Sequence, residues 1–255
     1  MVALITGGSS GMGLEFARQL GSKGYDLVLV SNQEEDLARA ACELQESIGT
    51  TVLTHWSNLA LPDAADKLFD WCAEENLFVD VLVNDAGIFF FKELDVTDLE
   101  RVQAMINLHV TTVTRLCLLF GQQMKERGSG YILNVSSMTA RIPAPGITVY
   151  SATKAYLRSF GKSLSYELQP YGVGVTTVCP AAIATPLYKI DKKTMEVLSR
   201  IRLIHTPEWL VRRALRAMFR KRRIVSPSSM NVYLPLLIAL LPSWLISRLW
   251  KKWKG

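Results

Sequence analysis

The stretch Thr6-Gly7-Gly8-Ser9-Ser10-Gly11-Met12-Gly13 decides the reading of this chain. It follows an apolar β-type run, Val2-Ala3-Leu4-Ile5, and opens a helical pattern over residues 12–22. Glycine lets a backbone approach a diphosphate without a Cβ clash. A helix starting there adds free N–H groups and the positive end of its dipole. A glycine cluster alone is also compatible with an ordinary turn. Its place between a first strand and a first helix gives it weight.

Working outward, apolar β-type runs alternate with helical patterns along the rest of the chain. Strands are expected at 2–6, 27–30, 51–55, 79–83, 131–135, 173–178 and 223–225. Helices are expected at 12–22, 34–48, 62–75, 97–126, 151–168 and 207–220. The strands are continuously apolar, as when both faces of a sheet are covered. Strict alternation of strand and helix predicts an α/β fold, a doubly wound parallel Rossmann sheet of about seven strands. No linker-like stretch divides the chain. The expectation is one domain over 1–225 and an apolar, basic extension over 226–255.

The chain has 255 residues, of which 49% are hydrophobic and 20% charged, so a large core is expected and disorder is excluded. The net charge of +6 is unevenly spread. Residues 1–188 hold 13 basic and 20 acidic groups, a balance of −7, whereas 189–255 hold 16 and 3, a balance of +13. An acidic body with a basic end argues against a general nucleic-acid binder. Arg212, Arg213, Arg216 and the run 220–223 have no aromatic platform or nucleic-acid motif beside them. Cys42, Cys72, Cys117 and Cys179 form no C-x-x-C pair and read as buried small side chains in a reducing compartment. His55, His109 and His205 are scattered and read as packing or surface residues, so no metal site is expected. Met1 leads straight into the first strand with no basic n-region, so no signal peptide is expected.

The spacing T-G-x-x-x-G-x-G resembles that of the short-chain dehydrogenase/reductase family, in its bacterial branch related to long-chain 3-ketoacyl reductases and steroid dehydrogenases. Further motifs agree. Asn84-Asp85-Ala86-Gly87 resembles the family's N-N-A-G, with Asp85 replacing an asparagine. Tyr150 and Lys154 match Y-x-x-x-K, and Ser137 stands 13 residues before Tyr150, the family's spacing. Asn107 falls in the helix after the fourth strand, where the family keeps a catalytic asparagine. The segment 180–185 resembles P-G-x-x-x-T, with Ala181 replacing glycine.

The resemblance implies NAD(P)-dependent oxidoreduction of a carbonyl or secondary alcohol, with Ser137, Tyr150, Lys154 and Asn107 as the catalytic group. Spacing of i and i+4 puts Tyr150 and Lys154 on one helix face. An ammonium beside a phenol favours the phenolate, which suits proton exchange with a substrate oxygen. Ser137 would hydrogen-bond that oxygen. The resemblance adds that Lys154 binds the nicotinamide ribose and Asn107 holds a relay water. It carries cofactor binding to Thr6, Gly7, Ser9, Ser10, Gly11, Met12 and Gly13 in the turn. Asn84, Ala86, Gly87, Pro180, Ile183 and Thr185 join them. At the end of the second strand Ser31 stands where an acid selects NAD, and Asn32 where an arginine selects NADP. Neither determinant is present, and the reading leans to NADP(H) over NAD(H). Asn58 and Leu59 stand near the expected adenine site.

Ile88-Phe89-Phe90-Phe91 follows the N-D-A-G turn at the ligand-binding end of such a sheet. With Met138, Ile142, Leu187 and Tyr188 it suggests an apolar substrate pocket for a 3-oxoacyl, steroid or sphingoid compound. The phenylalanines could instead pack against the adjacent helix. No charge occurs from 224 to 247, after which Arg248, Lys251, Lys252 and Lys254 alternate with tryptophans. The apolar run 232–246 is too short to span a bilayer, and Pro235 and Pro242 interrupt it. Residues 232–254 read as a membrane-surface contact. A lid or subunit contact is the competing reading. The implied location is cytoplasmic, peripheral on the membrane face, and a homo-oligomer is the family default. The departures at Asp85, Ala181 and Asn32 leave a second function open, a catalytically weak NAD(P)-binding redox sensor.

Overall fold

Seven parallel strands form one sheet in the computed structural model, which describes residues 1–142, 144–181, 205–228 and 230–254. They are β1 (Val2–Thr6), β2 (Asp26–Ser31), β3 (Val52–Trp56), β4 (Val79–Asn84), β5 (Gly130–Val135), β6 (Val173–Val178) and β7 (Ile224–Val225). Their order is β3-β2-β1-β4-β5-β6-β7. The chain builds from β1 outward to β3, then returns to add β4 on the other side of β1. That reversal opens a crevice at the carboxyl ends of β1 and β4, where folds of this type bind ligands.

The described helices are α1 (Gly11–Gly21), α2 (Glu34–Ile48), α3 (Ala64–Glu74), α4 (Leu99–Ile106), α5 (Val113–Arg127), α6 (Thr148–Leu168), α7 (Pro207–Phe219), α8 (Met230–Leu240) and α9 (Ser243–Lys254). Strand side chains alternate between two cores. Ala3 and Ile5 join Phe16 and Leu20 of α1, Leu44 of α2 and Val211 of α7. Leu4 points the other way, to Leu68 of α3, Phe120 of α5 and Leu157 of α6. Each buried Leu or Phe contributes about 1.5–3 kcal/mol, so either face alone is a large driving force. The expected single Rossmann-type domain is therefore present, with helices on both faces.

Four details depart from expectation. The helix expected over 97–126 is broken by a π-helical stretch, Asn107–Thr112, between α4 and α5. Tyr150 lies inside α6, because that helix begins at Thr148. Pro235 lies within α8, whereas Pro242 does separate α8 from α9. A proline removes one helical hydrogen bond but keeps a helical φ, so one turn can absorb it. Cys42 is also exposed. The core face of α2 is Leu37, Ala40, Ala41 and Leu44, and position 42 falls opposite it.

Among the described residues, the one helical stretch long and apolar enough to cross a bilayer is Val96–Arg127. Half of its most apolar window is buried, and Leu116, Phe120 and Met124 pack in the core, so its apolarity is that of a core helix.

Candidate active site

The glycine turn is shaped by contacts that no side chain could share. Gly7 adopts φ 72°, and a Cβ on it would come 3.0 Å from Ala86 Cα. A Cβ on Gly13 would lie 2.1 Å from the Gly7 carbonyl oxygen. The turn, α1 and the N-D-A-G segment thus meet backbone to backbone. Thr6 fixes this junction, since its hydroxyl accepts the N–H groups of Asp85 and Ala86, both at 3.1 Å. Ser10 caps α1 without a side-chain hydrogen bond, which leaves first-turn N–H groups for an anion.

A cavity of about 460 Å³ runs from this turn along the carboxyl ends of the strands. Its size suits a cofactor site. Gly7, Ser9, Ser10, Gly11 and Met12 form one wall. Ser31 and Asn32, after β2, and Asn58 and Leu59, after β3, close one end. Ala86, Gly87, Ser137, Tyr150, Lys154 and Pro180 line the other. Fifteen sequence-expected positions therefore meet in one cavity. The Ser9 and Ser31 hydroxyls touch at 2.9 Å at the β2 end of the cavity. The described charged residues lining the cavity are Asp85 and Lys154, so no carboxylate faces that end.

Other expected positions act from behind the wall. Gly13 and Thr6 shape the turn. Asn84 is buried and donates to Asn134 Oδ1 at 2.8 Å, tying β4 to β5. Asn107 does not line the cavity, and its amide donates to the Ala60 carbonyl at 3.0 Å. The π-helical stretch that starts at Asn107 instead turns Leu108 to the cavity. Phe89, Met138 and Ile142 also lie off its lining. Phe89 nevertheless meets the Tyr150 ring edge to face, with centroids 5.0 Å apart. Ile183, Thr185, Leu187 and Tyr188 lie outside the described residues.

Strand and helix ends hold Ser137, Tyr150 and Lys154 in place. Lys154 Nζ donates to the Val135 carbonyl at 2.9 Å and stands 5.6 Å from the Tyr150 ring centre. Ser136 donates to the Lys154 carbonyl at 2.7 Å. Ser137 accepts the Thr139 N–H at 3.1 Å. Burial pulls Lys154 down to about 8, partly opposed by Asp85. Burial pushes Asp85 up to about 7, opposed by the Lys154 charge and by a hydrogen bond from the Gly13 backbone. Asp85 Oδ1 is buried with no hydrogen-bond partner. Asp85 entered the sequence reading only as a departure from a motif, and its burial beside Lys154 is a tertiary fact. His109 offered no motif at all, yet it is fully buried against Tyr150.

A glycine-lined diphosphate cradle at a topological switch point, joined to a Ser–Tyr–Lys group, defines a dinucleotide-dependent oxidoreductase of the doubly wound class. The chain belongs to the short-chain dehydrogenase family, whose model matches residues 1–196. It is an NAD(P)-dependent oxidoreductase. A very-long-chain 3-oxoacyl-CoA reductase from Macaca fascicularis is 33% identical over 247 residues, covering 95% of this chain and 76% of the relative. A short-chain dehydrogenase from Sphingobium yanoikuyae, solved with NADPH, superposes with a TM-score of 0.80 at 26% identity, covering 95% and 96% of the two chains. A 7beta-hydroxysteroid dehydrogenase superposes with a TM-score of 0.82 at 26% identity, covering 92% and 90%. These relatives favour the active enzyme over the redox sensor.

Proposed function

We propose that this enzyme interconverts a lipophilic ketone and its secondary alcohol, of 3-oxoacyl, steroid or sphingoid type, and prefers NADP(H). The observation that carries the reading is Tyr150. It stands at one end of the cavity with Lys154 and Ser137, and its ring is wedged against Phe89. Gly7, Gly11 and the start of α1 would hold the cofactor diphosphate, and Lys154 the nicotinamide ribose. A bound nicotinamide supplies or accepts the hydride at the carbonyl carbon. Ser137 Oγ orients the substrate oxygen, and Tyr150 Oη gives it a proton or takes one. The Lys154 ammonium favours the phenolate form of Tyr150. Asn107, whose amide is committed to the Ala60 carbonyl off the cavity, would act only by fixing the helix break beside the site. Phe89, Met138 and Ile142, with Leu187 and Tyr188, supply the apolar substrate surface. Among the described residues no carboxylate lines the cavity at Ser31 and Asn32, which supports a 2′-phosphate. NADPH oxidation with a panel of long 3-oxoacyl thioesters, steroid ketones and sphingoid ketones tests the proposal. Turnover is expected with at least one class and is lost in Tyr150→Phe while NADPH binding persists. Full activity in that variant would sink the mechanism.

The end of the chain supports delivery of substrate from lipid. Helices α8 and α9 expose Tyr233, Leu236, Leu237, Leu240 and Trp244. Arg248, Lys251 and Lys252 stand exposed on α9. An 11-residue helix such as α8 is about 16 Å long, about half a bilayer core, so it suits the surface of a membrane and not a span. Trp250 packs on Phe91 at 6.1 Å, which sets α9 beside the substrate-side loop. We therefore place residues 232–254 on an anionic membrane surface, at the cytoplasmic face. Flotation with anionic vesicles is expected for the full chain and is reduced about tenfold in Leu237→Glu/Leu240→Glu. Equal flotation of both would refute the contact. The body is expected to form a homo-oligomer, measurable by light scattering, as Leu99 and Leu118 stay exposed on α4 and α5.

A further inference from the structure

His109 is fully buried in the π-helical stretch and touches both halves of the site. Its Nε2 lies 3.1 Å from the Ile88 backbone nitrogen. A backbone N–H can only donate, so Nε2 must present a lone pair. The ring proton then sits on Nδ1, which lies 3.0 Å from Thr153 Oγ1. Thr153 in turn donates to the Tyr150 carbonyl at 2.9 Å. Every donor in this chain thus has one acceptor, and one tautomer satisfies all three bonds. The imidazole also meets the Tyr150 ring edge to face at 5.8 Å, beside Phe89 on the same ring. Gly87 packs so close that a Cβ there would lie 3.1 Å from Nε2.

We infer that His109, as a neutral Nδ1–H imidazole, is a positioning residue that clamps the turn after β4 to α6 and so sets the angle of the Tyr150 phenol. The inference rests on the proton-donor role proposed for Tyr150. Burial and the facing Lys154 charge hold the His109 pKa well below its usual value, which keeps the ring an acceptor at Nε2. The Lys154 charge facing it opposes a second proton on the ring. A π-helical insertion is a common way to aim one side chain inward at a functional site. Here the residue aimed inward does not touch the reaction, and it holds the group that does.

Two measurements test this. The first needs no turnover. With three histidines in the chain, ¹⁵N-histidine NMR of the intact protein resolves each ring. His109 is expected to stay neutral, protonated on Nδ1, from pH 8 to pH 5. A protonated ring at pH 6, or the Nε2–H tautomer, would overturn the clamp. The second compares variants. His109→Leu keeps the bulk and removes both polar atoms, and kcat is expected to fall about 30-fold, the scale of a small misplacement of a reacting group. The NADPH dissociation constant should stay within about threefold, because the diphosphate turn is untouched. His109→Gln can still accept from Ile88 and donate to Thr153, and should restore kcat to within about fivefold of the parent. Thr153→Val removes the second and third bonds and leaves the Ile88 bond in place, and is expected to cost about fivefold in kcat, which covers the case of a misfolded His109→Leu. Unchanged kcat in Leu and Val variants, or a Gln variant no better than Leu, would refute the role. If the parent turns over no ketone, the proposed reaction fails, and the tautomer still decides the clamp.

Discussion

Asp85→Asn isolates the one buried carboxyl among the described residues that line the cavity. Burial raises Asp85 from 3.8 to about 7. A carboxyl shifted upward keeps its proton in the fold at a pH where the open chain has lost it. The folded state therefore binds more protons between about pH 4 and pH 7, and stability falls as pH rises through that window. Moving the carboxyl from 3.8 to about 7 corresponds, at about 1.4 kcal/mol for each tenfold change in proton affinity, to a ceiling of about 4 kcal/mol above pH 7. Asparagine removes that penalty. It also removes the charge that holds Lys154 up, so Lys154 sinks further below about 8 and takes back part of the gain. A net gain of about 2 kcal/mol at pH 8 is expected, a rise in Tm of about 4–8 °C for a chain of this size. At pH 5 only about a third of the gap should be present. Differential scanning calorimetry of both proteins at the two pH values reads this directly. A gap of the same size at pH 5 and pH 8, or a variant less stable than the parent at pH 8, would show that the Asp85 carboxylate is stabilised in place and refute the burial argument.

Other outcomes follow from the same geometry. Gly13→Ala puts a Cβ 2.1 Å from the Gly7 carbonyl, so the turn must move, and NADPH affinity is expected to fall more than about tenfold by fluorescence titration, with a stability loss of about 1–3 kcal/mol. Asn32→Arg supplies the missing cation beside Ser31, and the ratio of kcat/KM for NADPH over NADH should rise about tenfold in steady-state assays. Because burial lowers Lys154 to about 8, its ammonium is present below that pH and lost above it, and kcat should decline above about pH 8. In Asp85→Asn that limb should move to lower pH, and a limb that stays put would separate Lys154 from the titration.

What could be read without coordinates is what short spacing encodes. The glycine turn, Tyr150 and Lys154 at one helical turn, and Ser137 at a strand end are local patterns, and the sheet brings them to one cavity. The alternation of runs sufficed for the strand count, since β1, β2, β4, β5 and β6 are buried on both faces and so are largely apolar, while edge strand β3 leaves Leu53, Thr54 and Trp56 exposed. The helix break at Asn107 was not legible, because a π-helical insertion changes hydrogen bonding without changing the apolar period enough to notice. His109 and Asp85 were illegible for a deeper reason. Their partners, Ile88, Thr153 and Lys154, are 21, 44 and 69 residues away, and only tertiary structure can show a histidine with both nitrogens committed.

Charge is the instructive middle case. The division into a −7 body and a +13 end was visible from counting alone, yet counting could not say what the basic end touches. The structure sets Trp250 of α9 against Phe91, three residues beyond the backbone N–H that His109 holds. The C-terminal helix and the Tyr150 clamp therefore grip opposite ends of one four-residue segment, 88–91. A force on α9 would be felt first at Phe91 and then at Phe89, whose ring lies on Tyr150. A Phe91→Ala variant tests that mechanical link. If α9 acts on the site through this ring, its loss should alter kcat for a long-chain ketone in the presence of anionic vesicles and leave kcat in free solution within about twofold. The same change with and without vesicles would mean that Phe91 simply lines the substrate path and that membrane contact is not transmitted through it.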